Sequence, residues 1–317
     1  MQTKNFAGIK LLLISISTLV SMAACKISQE PNSQPLSIIY SYVGDNTKAI
    51  YLSDEEGKTR IKVVDAPDSD GDGYPAVSPT GKQFAFYSKY DKYKTWSIHT
   101  ADIDGNNIRR LTKVKNVWDS APVWSPDGKT IVFAREYKDI NGAWQEEVWL
   151  MNADGTEQRQ IKALAGRAPE FMQDGRLLFQ SKASPSQISI ANIDGSNVIQ
   201  LTTDDTNNMS PKISPDGLQI AYLSNRDGNQ EVYVMNIDGS NQKRLTRNSV
   251  VEWGPAWSTD GSKVFFSSQN VHGFYDLYKA NKDGSSIKRI LSSASQAATV
   301  YHLDKSYLER LMKARQQ

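Results

Sequence analysis

The chain has 317 residues, with 37 Lys and Arg against 35 Asp and Glu, a formal net charge of +2 and 39% hydrophobic residues. That near balance excludes a global electrostatic pull toward nucleic acid, and no basic cluster with interleaved aromatics contradicts it. Cys25 is the only cysteine, which excludes an internal disulfide, so the domain must be held by its core.

Residues 1–24 read as a lipoprotein signal peptide. MQTKNFAGIK carries Lys4 and Lys10 and no acid, LLLISISTLV is apolar, and Ala23 and Ala24 lead directly to Cys25. The apolar run is too short for an ordinary membrane span. SMAAC resembles a bacterial lipobox, with Met22 where Leu is usual, and makes Cys25 the expected lipidation site. Lys26 rather than Asp follows the cysteine, which by the bacterial sorting pattern points to the outer membrane. Residues 25–36 then form a polar tether with Pro31 and Pro35, and without the signal peptide's two lysines the formal charge is about zero.

From residue 37 the chain repeats. WSPDGKTIVF at 124–133 is the end of a strand, a tight turn and the start of another strand, and it recurs as VSPTGKQFAF, FMQDGRLLF, ISPDGLQIAY and WSTDGSKVFF. The turn glycines are Gly81, Gly128, Gly175, Gly217 and Gly261; six residues before each stands a proline (Pro75, Pro122, Pro169, Pro211, Pro255). Four before each stands a large apolar residue, Val77, Trp124, Phe171, Ile213 or Trp257. A second series, SDEEG, ADIDG, MNADG, ANIDG, MNIDG and ANKDG, ends at Gly57, Gly105, Gly155, Gly195, Gly239 and Gly284. Six residues after each of these glycines comes a branched aliphatic: Val63, Leu111, Ile161, Leu201, Leu245 or Ile290. Each unit thus reads as four short strands rich in β-branched and aromatic residues. Four strands with a period of roughly 40–50 residues mark a propeller blade.

The second series has one member more than the first. ATVYHLDKS, from Ala298, overlays APVWSPDGK with Tyr301 on Trp124, while residues 37–66 begin at the second strand of a unit. The expected fold is therefore all-β, a six-bladed β-propeller over residues 37–304 with the C-terminal strand closing the first blade. Residues 305–317 are expected to be a short helix or tail.

These P-x-W-S-P-D-G and N-x-D-G signatures resemble the TolB-like β-propeller family. The resemblance implies the fold and suggests protein partners in the envelope. TolB itself carries a sizeable domain ahead of its propeller, where this sequence has only the tether.

The histidines are His99, His272 and His302. His99 falls in the column occupied by Tyr51, Trp149, Tyr233 and Tyr278, and reads as a strand residue. No zinc-type histidine spacing exists. Propeller-bearing peptidases need a hydrolase domain with G-x-S-x-G, which the sequence lacks, and oligogalacturonate lyases, which also resemble this propeller, use a histidine-rich metal site. No catalytic residue is assigned, and a non-enzymatic role is expected.

Asp68, Asp70 and Asp72, with Gly73, match the first half of a calcium loop, but its twelfth position is Pro79 rather than Glu. A weaker calcium site and a solvated acidic turn both fit; no other cofactor is expected. Finally, three residues before each column proline stand Asp72, Asp119, Gly166, Asn208 and Glu252, with Arg167 and Trp253 beside them. In an up-and-down blade these lie on the face of the variable loops, where binding residues usually sit. They are expected either to ring a channel mouth that binds a cationic or polyhydroxylated group, or to start the innermost strands as Asx-type turns. The expected role is a monomeric, exported, lipid-anchored scaffold that binds a protein and faces the periplasm. The alternative is a carbohydrate-binding or lyase-like propeller, which aromatics and carboxylates gathered at one mouth would favour.

Overall fold

The structure, a computed structural model, describes residues 35–44, 47–65, 73–89 and 95–300. Cys25, the tether up to residue 34, Asp68, Asp70, Asp72, His302 and the expected C-terminal helix lie outside the described residues.

The described residues contain strands and no helix. In chain order the strands are β1 (Ile38–Gly44), β2 (Thr47–Ser53), β3 (Arg60–Asp65), β4 (Gly73–Val77), β5 (Gln83–Ser88), β6 (Ser97–Asp102), β7 (Arg109–Arg110) and β8 (Trp118–Trp124). They continue with β9 (Thr130–Lys138), β10 (Trp144–Asn152), β11 (Arg159–Phe171), β12 (Leu177–Ser181), β13 (Ile188–Ala191), β14 (Ile199–Gln200), β15 (Asn208–Ile213) and β16 (Gln219–Ser224). The last are β17 (Glu231–Asn236), β18 (Lys243–Arg244), β19 (Glu252–Trp257), β20 (Lys263–Gln269), β21 (Tyr275–Asn281), β22 (Lys288–Leu291) and β23 (Ala294–Thr299).

All pairings within these ladders are antiparallel, and the strands form five hydrogen-bonded sheets. Four have four strands each: β23-β1-β2-β3, β4 to β7, β15 to β18 and β19 to β22. The fifth has seven, β8 to β14, because the 13-residue β11 pairs with β10 through its first part and with β12 through its last. Where separate blades are expected, this one strand runs through as the outer strand of one group and the inner strand of the next.

The innermost strands β4, β8, β11, β15, β19 and β23 share one device. Tyr74, Ala121, Ala168, Ser210, Gly254 and Gln296 all have positive φ, between 47° and 54°. At each, two residues oppose one on the neighbouring strand, a β-bulge that bends the inner strand. The single residue opposite is always aromatic and buried: Tyr40, Phe86, Phe133, Phe179, Tyr222 or Phe266. In five of these places the ring meets a second ring across the next strand, as Phe86 meets His99 at 5.6 Å and Phe266 meets Tyr278 at 5.8 Å. His99 is buried there, its Nδ1 3.0 Å from the Ser97 carbonyl, in the structural place its column implies.

The closing strand is β23, paired with β1 as expected, but two residues out of the expected register. Its bulge is at Gln296 and Ala297, and Ile38 pairs with Thr299 as Ile131 pairs with Trp124. Thr299, not Tyr301, therefore occupies the place of Trp124. The tail has no proline to mark its bulge, so the sequence overlay slid along it.

The core is a circle of hydrophobic clusters, each between consecutive strand groups, from the β1–β3/β4–β6 layer round to the β19–β22/β1–β2 layer. The two columns of the second turn series meet in these layers. A Cβ on Gly105 would lie 1.7 Å from the Val63 carbonyl oxygen of the preceding group, and one on Gly57 would lie 2.3 Å from that of Ile290. Glycine is needed there both for positive φ and for close approach. The Gly57 contact joins the last group to the first, so the ring closes on its outer side as well as through β23. This is a β-propeller.

Candidate functional site

The six innermost strands line a central cavity of about 190 Å³. Among the described residues, its only charged lining residues are Glu170 and Lys212, which form an ion pair inside it. Burial raises the Glu170 carboxyl above its ordinary range, and the Lys212 charge opposes this. Wider spaces open at both ends. One, about 770 Å³, lies on the side of the first-series turns and is lined by Pro79, Pro126, Pro215, Leu36 and Val300 among others. The other, about 430 Å³, lies where the inner strands begin, on the face of the variable loops.

The loop-side mouth has the more specific chemistry. Tyr74, Tyr87, Trp118, Trp253 and Tyr275 line it together with Arg167 and Glu136. Tyr74 packs on Tyr87 at 5.7 Å, Tyr87 meets Trp96 edge-on at 5.1 Å, and Trp96 stacks on Trp118 at 5.7 Å and 26°. Trp118 keeps 40% of its surface exposed, and burial raises the Tyr74 phenol above its ordinary range. Facing this aromatic wall, Arg167 lies 3.9 Å from both Glu136 and Glu146. Burial holds the Glu136 carboxyl above its ordinary range; the Arg167 charge opposes that and Glu146 reinforces it. Stacking surfaces, one guanidinium and two carboxylates are thus gathered at one opening, an arrangement whose chemistry suits planar or polyhydroxylated groups, through stacking and orienting hydrogen bonds.

Of the residues expected to ring the mouth, Arg167 and Trp253 do so. Asp119, Asn208 and Glu252 do not; all three are fully buried inside the sheets. Successive strand residues face opposite sides, so the column two before each proline, with Ser120, Arg167, Met209, Trp253 and Ser295, faces the opening while the column before it faces inward. Asp119 accepts bonds from Arg135 Nε at 2.7 Å and Nη2 at 2.9 Å, and the Arg135 guanidinium lies 4.2 Å over Trp149. Asn208 is bonded to Asp204, Gln187 and Arg226, and Glu252 to Asn248 and Ser268. Each is tied by side chains across its sheet, and the bonds of these three carboxyl and amide oxygens come from side chains rather than from the backbone N–H of an Asx-type turn. Tyr74, Tyr87, Trp118, Glu136 and Tyr275 were not singled out in the sequence. Their signal was departure from the repeat: Tyr87 stands where sister strands carry Ala134, Gln180, Leu223 and Ser267.

The family model of the TolB β-propeller domain matches residues 18–204. The chain belongs to the TolB β-propeller family. A second model, the N-terminal β-propeller domain of tricorn protease, matches residues 184–315. In fold, this TolB-family propeller is similar to TolB from Acinetobacter baumannii, with a TM-score of 0.73 at 22% identity over 85% of this chain and 68% of that one. It is similar too to a putative TolB from Agrobacterium tumefaciens, with a TM-score of 0.63 at 21% identity over 82% of this chain and 89% of that one. An uncharacterized protein of Agrobacterium fabrum is 30% identical over 153 residues, 47% of this chain and 49% of that protein. The match with this curated relative thus spans about half its length.

Proposed function

We propose that this TolB-family propeller is a lipid-anchored scaffold of the bacterial cell envelope, exported through its N-terminal signal, lipidated at Cys25 and held at the outer membrane facing the periplasm. We take the seven-stranded sheet as two blades sharing β11, so that the ring has six; the bulge repeated on six inner strands supports this count. The ligand is a protein partner, held at the loop-side mouth without chemical conversion. The observation that carries this reading is the mouth itself: exposed Trp118 and half-exposed Arg167 stand at the rim of a rigid ring whose repeated residues are spent on turns and core. Stacked aromatics and arginine are the groups that dominate protein interfaces.

A second reading, carbohydrate binding at the same mouth, is favoured by aromatics and carboxylates standing there together. The acidic stretch Asp68, Asp70 and Asp72 stays a proposed weak calcium site. Affinity capture from envelope extract with the domain beginning at residue 35, set beside binding to a panel of cell-wall and polyuronate oligosaccharides, tests the function. A protein retained by the wild type and lost with Trp118→Ala supports the scaffold. Oligosaccharide binding lost with the same change supports the second reading, and neither result would move the site away from this mouth.

A further inference from the structure

Two neighbouring places on the loop-side face have the same backbone and different charges. In the first, between β13 and β15, Gln187 and Asn208 are 4% and 0% exposed, and Asn208 Nδ2 donates to Gln187 Oε1 at 3.0 Å. Asp204 accepts from the same amide at 3.1 Å and is paired with Arg226 at 2.9 Å, so the place is neutral. One group further on, Ile188 N–H to Thr202 becomes Val232 N–H to Thr246, both 2.9 Å, which sets Glu231 in the place of Gln187. Asn208 N–H to the Ser186 carbonyl becomes Glu252 N–H to the Gln230 carbonyl, which sets Glu252 in the place of Asn208 and Asn248 in that of Asp204.

The second place therefore holds two carboxylates, both 0% exposed, where the first holds two amides. Asn248 ties them together. Its backbone N–H donates to Glu231 Oε1 at 3.1 Å and its Nδ2 to Glu252 Oε1. Glu231 is answered by Arg244 at 2.8 Å, which also pairs with Asp227. Among the described residues no lysine or arginine pairs with Glu252. The Oε2 atoms of both acids are buried without a hydrogen-bond partner. An unpaired buried charge is strongly disfavoured, and of the two fully buried carboxylates only Glu231 has a positive partner, so Glu252 lacks one. One proton supplies it, and a protonated carboxyl reproduces the N–H donor of the sister amide.

We propose that Glu252 carries a proton in the folded protein below neutral pH, and that Glu231 and Glu252 form a proton-dependent clamp between β17 and β19 beside the mouth. The groups around it are Glu231 on β17, Arg244 on β18, Asp227 in the loop before β17, Ser268 on β20 and Tyr275 at the start of β21. Burial pushes the Glu252 carboxyl up to about 7, with bonds from Asn248 and Ser268 opposing and the Glu231 charge adding. Because the folded value lies above the unfolded one, the clamp's contribution is complete below the unfolded value and is lost as pH rises through the folded one. Trp253, the next residue, lines the mouth, so opening the clamp acts on the site directly.

The test is independent of the partner. Thermal melts of the domain from pH 5 to 8.5 are compared with those of Glu252→Gln, and a protonated-carboxyl band is sought in the infrared difference spectrum. The expected result is a wild-type melting temperature that falls by several degrees relative to the variant across this range, roughly what a rise from 4.5 to about 7 implies, together with a carboxyl band absent from the variant. If Glu252→Gln does not fold, Glu231→Gln removes the neighbouring charge and should move the fall to lower pH. Parallel pH profiles would overturn the proposal. So would wild-type stabilisation by potassium or calcium at pH 8.5 that the variant loses, since a metal cation rather than a proton would then fill the place.

Discussion

At one end of the channel the lining comes from the repeat. Pro79, Pro126, Gln173, Pro215 and Thr259 hold the same position of the first-series turn, and the turns beneath them are alike: Ser125 Oγ donates to Asp127 at 2.6 Å, and Ser258 Oγ to Asp260 at 2.6 Å. At the other end Arg167, Met209 and Trp253 hold one column, Tyr74 stands one place after it and Trp118 two places before it, with no common chemistry. The wider opening is the repetitive one, yet its repeated turns present much the same surface from every side. A ring built by repetition gives each position as many copies as it has units, so a specific contact has to come from breaking the repeat. The same contrast holds in the interior, where Asp119–Arg135, Asn208–Arg226 and Glu252–Asn248 are different solutions to one buried position.

The largest effect should come from opening the ring. Removing residues 294–317 takes away β23, strips β1 of its inner partner and deletes Gln296, which accepts bonds from Ser41 at 3.2 Å and from the Tyr74 amide at 3.1 Å. Cooperative melting by circular dichroism should be lost; a truncated chain melting within a couple of degrees of the parent would show that β23 does not close the fold.

Next comes Asp119→Ala. A mouth carboxylate could be removed with little change in stability, but a buried partner of Arg135 cannot, and the cost should be about 3–5 kcal/mol in chemical denaturation. A loss below about 1 kcal/mol, the range of surface pairs, would return Asp119 to the solvent-facing group.

Comparing the two ends directly gives the third expectation. Trp118→Ala or Arg167→Ala should weaken capture by roughly tenfold or more, while Gln173→Ala at the repetitive end should leave it within about twofold and all three should melt close to the parent. Equal losses at both ends would remove the functional distinction between them.

The smallest effect concerns the outer seam. Hydrogen bonds from Lys279, then Lys288, bring Glu56 down to about 2, and they tie the β2–β3 turn to β21 and β22. A lowered value means that the stabilisation is present above the unfolded value of 4.5 and is lost as pH falls toward 2. Glu56→Gln should flatten the acid limb of the melting profile by a degree or so; an unchanged limb would mean that the seam contributes nothing.

Much of this protein could be read from its one-dimensional pattern. Strand order, both turn series, the role of His99 and the pairing of the C-terminal strand with the first unit were legible because turns and buried columns are local demands: Gly128 and Gly239 need positive φ wherever they occur, and an apolar residue recurs wherever a strand meets the core. What the sequence could not show was side-chain direction around the bulge, which a proline marks on five inner strands but not on β23. That hidden step shifted the closing strand by two residues and turned Asp119, Asn208 and Glu252 inward while Arg167 and Trp253 stayed at the mouth. Tertiary structure alone also brought Tyr74, Trp118 and Tyr275 to one opening from strands far apart in the chain. Local preference sets which turns form; which side chains meet across a closed ring depends on register and closure, and a shift of one residue reverses the face.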